Sequence, residues 1–268
     1  ILENEVSMKF IRDRVLNGEL MSGAWCNLAS AMTVEMAALT GYDWVLIDQE
    51  HGPGDTEALL RQMQAVGHSS TAPIVRITWN EMPRFKRALD LGASGIMIPY
   101  IQTQEEAEYA VKSMQFAPLG YRGVASSPRA TNFSLDFKDY HAKANDNLLT
   151  IVQIETKTAL DNLDDIAGVD GVDVLFVGPL DLSLNLGISD PFSNQQFLDV
   201  LSRVGNVAKK NGKAAGILIP NEDLIPVMLG FGFSFVAVNS DGGMVINGMK
   251  RIIYEFNKLK GSNKQPTN

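Results

Sequence analysis

Two apolar runs in this chain end in carboxylates. Ile151-Val152-Gln153-Ile154-Glu155 and Val174-Leu175-Phe176-Val177-Gly178-Pro179-Leu180-Asp181 each read as a buried strand followed by a helical segment. Such strands neighbour one another in a parallel sheet, so Glu155 and Asp181 fall at adjacent carboxyl ends, the edge where α/β folds bind ligands. Two acids there repel unless a proton or a cation lies between them. With oxygen donors and no cysteine nearby, the matching ion is hard and divalent, Mg²⁺ or Mn²⁺. Gln153, two residues before Glu155, shares its inward face. The amides of Leu180 and Asp181 follow Pro179, which has no N–H, and open a turn that can hold a carboxylate.

Three further positions carry possible chemistry. Ile47-Asp48-Gln49-Glu50-His51 puts an acid and an imidazole three residues apart, the pairing that fixes a histidine tautomer and makes it a base. The alternative is an ordinary loop histidine, and His68 and His141, in polar surroundings, keep that plain reading. Arg76 interrupts the apolar run Ile74-Val75-Arg76-Ile77 and must meet an anion, either a substrate at the carboxyl edge or a carboxylate on the next strand. Asp90 ends a helix, where the macrodipole disfavours an acid, which hints at a separate duty. Gly242-Gly243 invites a phosphate-binding reading, although paired glycines more often mark a turn.

These residues need a frame that delivers strand ends to one rim. After a first helix around Met8–Leu16, eight apolar runs recur, at Gly23–Leu28, Trp44–Asp48, Ile74–Thr78, Gly95–Tyr100, Leu149–Glu155, Val174–Gly178, Ala214–Ile219 and Phe235–Asn239. Helical periodicity follows each, at Thr33–Leu39, Thr56–Val66, Pro83–Leu91, Gln104–Met114, Ala159–Ala167, Asn194–Asn211, Glu222–Phe231 and Met244–Lys258. Eight βα units in series fit one closed (β/α)₈ barrel spanning residues 1–268 better than an open doubly wound sheet. The connection from Phe116 to Asn147 exceeds the usual βα spacing and reads as a loop over the site or as disorder. The polar tail Gly261–Asn268 is expected to fray.

The bulk numbers narrow the partners. A net charge of −8, from 23 Lys+Arg against 31 Asp+Glu, repels nucleic acid and anionic lipid. One cysteine, Cys26, cannot form an internal disulfide and suits the reducing cytoplasm. No apolar run approaches the ~18 residues of a membrane span, and Ile1–Phe10 mixes Glu, Asn and Lys where a signal peptide is apolar.

Five motifs in order, Trp44–His51 with Gly52-Pro53, Val75-Arg76 with Trp79-Asn80-Glu81, Tyr121-Arg122-Gly123-Val124, Val152–Glu155 and Phe176–Ser183, resemble the metal-dependent (class II) pyruvate aldolases. That family includes 4-hydroxy-2-oxoheptanedioate aldolase and 2-dehydro-3-deoxyglucarate aldolase. The resemblance implies a (β/α)₈ barrel of the phosphoenolpyruvate/pyruvate type, assembled as a homo-hexamer of dimers that exchange the last helix. It implies Glu155 and Asp181 as ligands of Mg²⁺ or Mn²⁺, with Co²⁺ a further candidate. His51 becomes the base, oriented by Asp48; Arg76 faces the keto oxygen; Asp90 reaches a neighbouring subunit's site. Gln153 and the amides of Leu180 and Asp181 contact substrate. Gln49 departs from the family's usual Gly, and Leu180 from its Ala or Ser.

The implied reaction is reversible aldol cleavage of a 4-hydroxy-2-oxo acid to pyruvate and an aldehyde. The competing readings are a Schiff-base aldolase, which needs a lysine inside the barrel, a related C–C lyase or oxaloacetate decarboxylase, and a non-catalytic carboxylate-binding barrel. None of the eight runs contains a lysine.

Overall fold

The computed structural model describes residues 9–67 and 69–262. His68 and the tail from 263 onward lie outside the described residues, as does Met8 at the start of the expected first helix. Eight parallel strands close into a barrel in the order β1 to β8. In chain order the elements are α1 (Arg12–Leu16), β1 (Met21–Cys26), α2 (Ala31–Thr40), β2 (Trp44–Asp48), α3 (Thr56–Ala65), β3 (Ala72–Arg76), α4 (Met82–Asp90), β4 (Gly95–Ile98) and α5 (Gln104–Met114). The second half holds α6 (Phe137–Asn147), β5 (Leu149–Ile154), α7 (Lys157–Asp161), α8 (Leu163–Ala167), β6 (Val174–Val177), α9 (Pro179–Asn185), α10 (Gln195–Lys210), β7 (Ala214–Ile219), α11 (Ile225–Gly230), β8 (Phe233–Ser240) and α12 (Asp241–Ser262).

Strand alternation divides the apolar residues into two layers. Trp44, Leu46, Ile74, Ile151 and Phe176 point inward and form the barrel's interior cluster. Ile47, Val75, Val152, Ile154 and Leu175 point outward and pack beneath the helices. The lower barrel is closed by α1, whose Val15, together with Ile11 at its N-cap, joins the interior cluster. Above them Trp44 stacks on Phe235 at 4.0 Å between ring centroids, and Phe176 meets Phe235 edge-on. Gly23 on β1 makes this possible, because a Cβ there would lie 2.1 Å from the Trp44 ring. The site therefore stands on a solid aromatic floor.

Three expectations need adjusting. The helix expected over Ala159–Ala167 is broken: Asn162 leaves helical geometry, with φ −97° and ψ 15°, and its side chain donates to the Gln102 carbonyl at 2.8 Å. The loop from Phe116 to Asn147 is not irregular throughout, because α6 occupies its second half. Only Tyr140 and Ala144 of α6 are buried, so its apolar stripe was too narrow to stand out in the sequence. The last helix runs to Ser262, past the expected end at Lys258. No helix among the described residues is long and apolar enough to cross a membrane.

Candidate active site

The inward period of two continues past the aromatic floor and delivers polar residues to the carboxyl rim. On β2 it runs Trp44, Leu46, Asp48; on β3, Ile74, Arg76; on β5, Ile151, Gln153 and then Glu155. Asp48 and Arg76 are paired in register across β2 and β3. The guanidinium grips the Asp48 carboxylate with two bonds, Nε to Oδ1 at 2.9 Å and Nη2 to Oδ2 at 2.6 Å. Nη1 reaches Glu50 Oε2 at 2.9 Å, and the guanidinium carbon lies 4.7 Å from the centroid of the Trp25 ring. Arg76 is thus aimed into the barrel and is almost fully buried. Of the two sequence alternatives, the ion pair with the neighbouring strand's carboxylate is the one seen, and it sits at the carboxyl rim of the barrel.

Asp48 does not hold the His51 imidazole. Its Oδ1 also accepts the amides of Glu50 and His51, at 3.0 and 3.2 Å, and its Oδ2 accepts the Trp25 indole N–H at 3.2 Å. With Arg76 added, the carboxylate is saturated and shapes the backbone of the turn. Burial pushes its carboxyl up, but Arg76 and the two amides more than offset this, leaving it below the usual range. The acid nearest the imidazole is Glu50, whose Oε2 lies 3.9 Å from Nε2, and the His51 side chain is 69% exposed. Glu50 was unassigned in the sequence; only its place beside Asp48 and His51 could have drawn notice.

Glu155 is buried just beyond β5. Its Oε1 accepts the amide of Tyr100 at 2.7 Å, and its Oε2 accepts Gln153 Nε2 at 3.1 Å. Burial, with repulsion from Glu50 and Asp181, pushes its carboxyl up to about 7. The carboxylate lies over Gly178, where a Cβ would come 2.7 Å from Oε2. Gly178 is the N-cap of α9, and Asp181 stands exposed in that helix's first turn. Gln153 Oε1 is buried without a partner. Among the described residues no group of three or more His, Cys, Asp and Glu side chains is gathered to hold a metal ion. What the rim offers a cation is a mutually repelling carboxylate pair and an orphaned amide oxygen. That donor set suits a hard divalent ion that takes its remaining ligands from substrate or water.

Asp90 lies apart from this group. It faces the buried guanidinium of Arg122 at 3.4 Å, and Arg122 itself lies over the rings of Phe116 and Tyr140. This ion pair within the chain accounts for an acid at a helix C-terminus without reference to the rim. His141 stacks on Phe116, a structural role. Gly242 and Gly243 do not form a phosphate cradle. Their amides are satisfied by Asp241 Oδ1 and Ser240 Oγ, and they belong to the first turn of α12. Cys26 is buried, with its thiol pushed up to about 12 by burial and by Asp241. No lysine is buried among the described residues, and Lys157 points away on α7 to pair with Asp161 at 2.6 Å.

Residues 21–248 match the family model described as HpcH/HpaI aldolase/citrate lyase. The chain belongs to this family. It is 40% identical over 240 residues to a 5-keto-4-deoxy-D-glucarate aldolase of Salmonella arizonae, covering 90% of this chain and 93% of that protein. The like-named protein of Escherichia fergusonii is 38% identical over 257 residues, 96% of this chain and 100% of the other. Among solved structures, an HpcH/HpaI aldolase/citrate lyase family protein from Burkholderia cenocepacia superposes with a TM-score of 0.87 at 33% identity, covering 92% of this chain and 98% of that one. As a member of the HpcH/HpaI aldolase family the chain is a carbon–carbon lyase, acting by aldol cleavage of a 2-oxo acid.

Proposed function

We propose that this aldolase cleaves a 4-hydroxy-2-oxo acid of the sugar-acid type, such as the ketodeoxyglucarate named for its relatives, into pyruvate and an aldehyde. The observation that carries this reading is the junction at one rim of a buried, proton-seeking Glu155 with an inward-facing Arg76. A divalent cation, Mg²⁺ or Mn²⁺, would be held by Glu155 and Asp181 and would act as a Lewis acid toward the substrate's carboxylate and keto oxygen.

Arg76 supplies the second electrophile. Of its five N–H donors, three are committed to Asp48 and Glu50, which leaves one on each terminal nitrogen for substrate. As the C3–C4 bond breaks, its electron pair moves through C2 onto the keto oxygen, and the fixed guanidinium favours that developing charge over the neutral ketone. Asp48 and the Trp25 face keep the guanidinium from turning away. His51 takes the C4 hydroxyl proton, and Glu50 beside it stabilises the imidazolium. In the reverse direction the same imidazole removes a methyl proton from pyruvate. The Leu180 and Asp181 amides, in the first turn of α9, have no acceptor within the helix and suit the pyruvate carboxylate. Gln153 fixes Glu155 and offers its free oxygen to the site.

On α12, Met249, Ile252, Ile253, Tyr254, Phe256 and Leu259 are 55 to 66% exposed. A two-sided apolar surface on one projecting helix supports its burial against another copy of the chain, in a hexamer of paired subunits that exchange this helix. The function is tested by incubating the protein with pyruvate, Mg²⁺ or Mn²⁺ and a panel of aldehydes and identifying the products. Carboxylated aldehydes should condense, and a chelator should abolish turnover. Failure of every aldehyde, together with absence of metal-dependent methyl-proton exchange in pyruvate, would overturn the reading.

A further inference from the structure

Tyr100 follows β4 and Pro99 with φ at 59°, in the left-handed region. A bulky aromatic residue rarely sits there, because its Cβ crowds the neighbouring carbonyl, and such strain persists only where the surroundings impose it. Both flanks of Tyr100 are pinned. Ile98 pairs in register with Val152 of β5, and Ile101 is buried in the layer beneath the helices. Gln102 is held at three points: its amide donates to Glu106 Oε2 at 2.7 Å, its carbonyl accepts Asn162 Nδ2 at 2.8 Å, and its side-chain oxygen accepts the Thr156 hydroxyl at 3.1 Å. The Tyr100 ring stacks on Trp79 at 5.7 Å between centroids.

What this backbone delivers is one N–H. The Tyr100 amide donates to Glu155 Oε1 at 2.7 Å, across the gap between the ends of β4 and β5. With Gln153 on Oε2, it fixes the plane of the carboxylate and leaves a lone pair on each oxygen for a cation. Thr156, which follows Glu155, is tied to Gln102, so the two turns are joined by a second bond beside the first. With both flanks pinned, φ can relax only by turning the Pro99–Tyr100 peptide plane, and that swings the N–H away from the carboxylate. We infer that Tyr100 is a positioning residue whose left-handed backbone, and not its side chain, presets Glu155 to bind the divalent cation. The inference rests on Glu155 being a metal ligand, as proposed above. Partners that orient a ligand in this way govern metal affinity about 10- to 100-fold.

Calorimetric Mn²⁺ titration of the full chain, substituted at residue 100, tests this. Tyr100→Val introduces a β-branched residue poorly suited to positive φ and should weaken Mn²⁺ binding by about tenfold or more. Tyr100→Asn and Tyr100→Gly accept positive φ and should bind Mn²⁺ within about threefold of wild type, although both lack the ring. If Tyr100→Val does not fold, Gln102→Ala takes its place: it keeps both backbone bonds, loses the tie to Thr156, and should weaken binding severalfold. Wild-type affinity in Tyr100→Val, or in Gln102→Ala where that variant is used, would overturn the inference. So would an equal loss in all three residue-100 variants, because the ring and not the backbone would then be responsible. Glu155→Gln tests the underlying assignment separately: Mn²⁺ binding should be lost there, and binding that survives would overturn Glu155 as a ligand.

Discussion

Gly178→Ala isolates the dependence of the site on one carboxylate's position. The backbone there has φ −85° and ψ 92°, which alanine adopts without strain, so the added methyl acts only through contact. Its carbon would stand 2.7 Å from Glu155 Oε2 and 3.1 Å from Glu155 Cβ. The carboxylate must move by about 0.7 Å to regain ordinary contact. It has little room, because Tyr100 and Gln153 hold its two oxygens and Gln153 Nε2 would itself be 3.4 Å from the new methyl. Overpacking of this kind costs about 1–3 kcal/mol, and the stiffer unfolded chain returns about 0.4–1 kcal/mol, so the protein should still fold. Activity should suffer more: a misplacement approaching 1 Å costs about 100-fold, and a disturbed ligand about 10- to 100-fold in metal affinity. Steady-state pyruvate release and calorimetric Mn²⁺ titration measure the two effects. Gly168→Ala, at φ −71° with nothing nearer than 3.4 Å, is the control and should leave both unchanged. A Gly178→Ala protein with kcat/KM within about threefold of wild type and undiminished Mn²⁺ affinity would show that Glu155 has no role where it sits.

Arg76→Lys keeps the charge but loses the fork that spans Asp48 and Glu50, so kcat should fall about 10²- to 10³-fold; near-normal turnover would remove the guanidinium from the mechanism. Glu155 also sets a pH dependence. Its carboxyl rises from the ordinary 4.5 to about 7, so between those values the folded chain keeps a proton that the unfolded chain has released. Rising pH in that window should therefore destabilise the protein in EDTA by on the order of 3 kcal/mol once ionisation is complete. Relative to Glu155→Gln, the wild-type Tm should fall across the window and recover on adding Mn²⁺; parallel Tm curves would refute the assignment. Ile253→Lys with Phe256→Glu should shift sedimentation velocity toward smaller species if α12 is a subunit contact, and an unchanged profile would count against it.

Much of the frame was legible in the chain because buried parallel strands have a plain signature. Trp44–Asp48 and Ala214–Ile219 end where the apolar runs end, and the count of eight fitted a closed barrel better than an open sheet. Positions were legible for the same reason, since a period of two puts Asp48, Arg76, Gln153 and Glu155 on the inner face whatever the loops do. Contacts were not. Only the closed barrel shows that Arg76 saturates Asp48, leaving His51 to Glu50, because the Asp48–Arg76 pairing joins residues 28 apart in sequence. The raised Glu155 carboxyl is likewise a product of tertiary structure, since desolvation and the fields of Glu50 and Asp181 exist only once distant strand ends converge. Local sequence fixed which faces are apolar and where strands stop; the long-range packing decided which charges meet and how strongly each holds its proton.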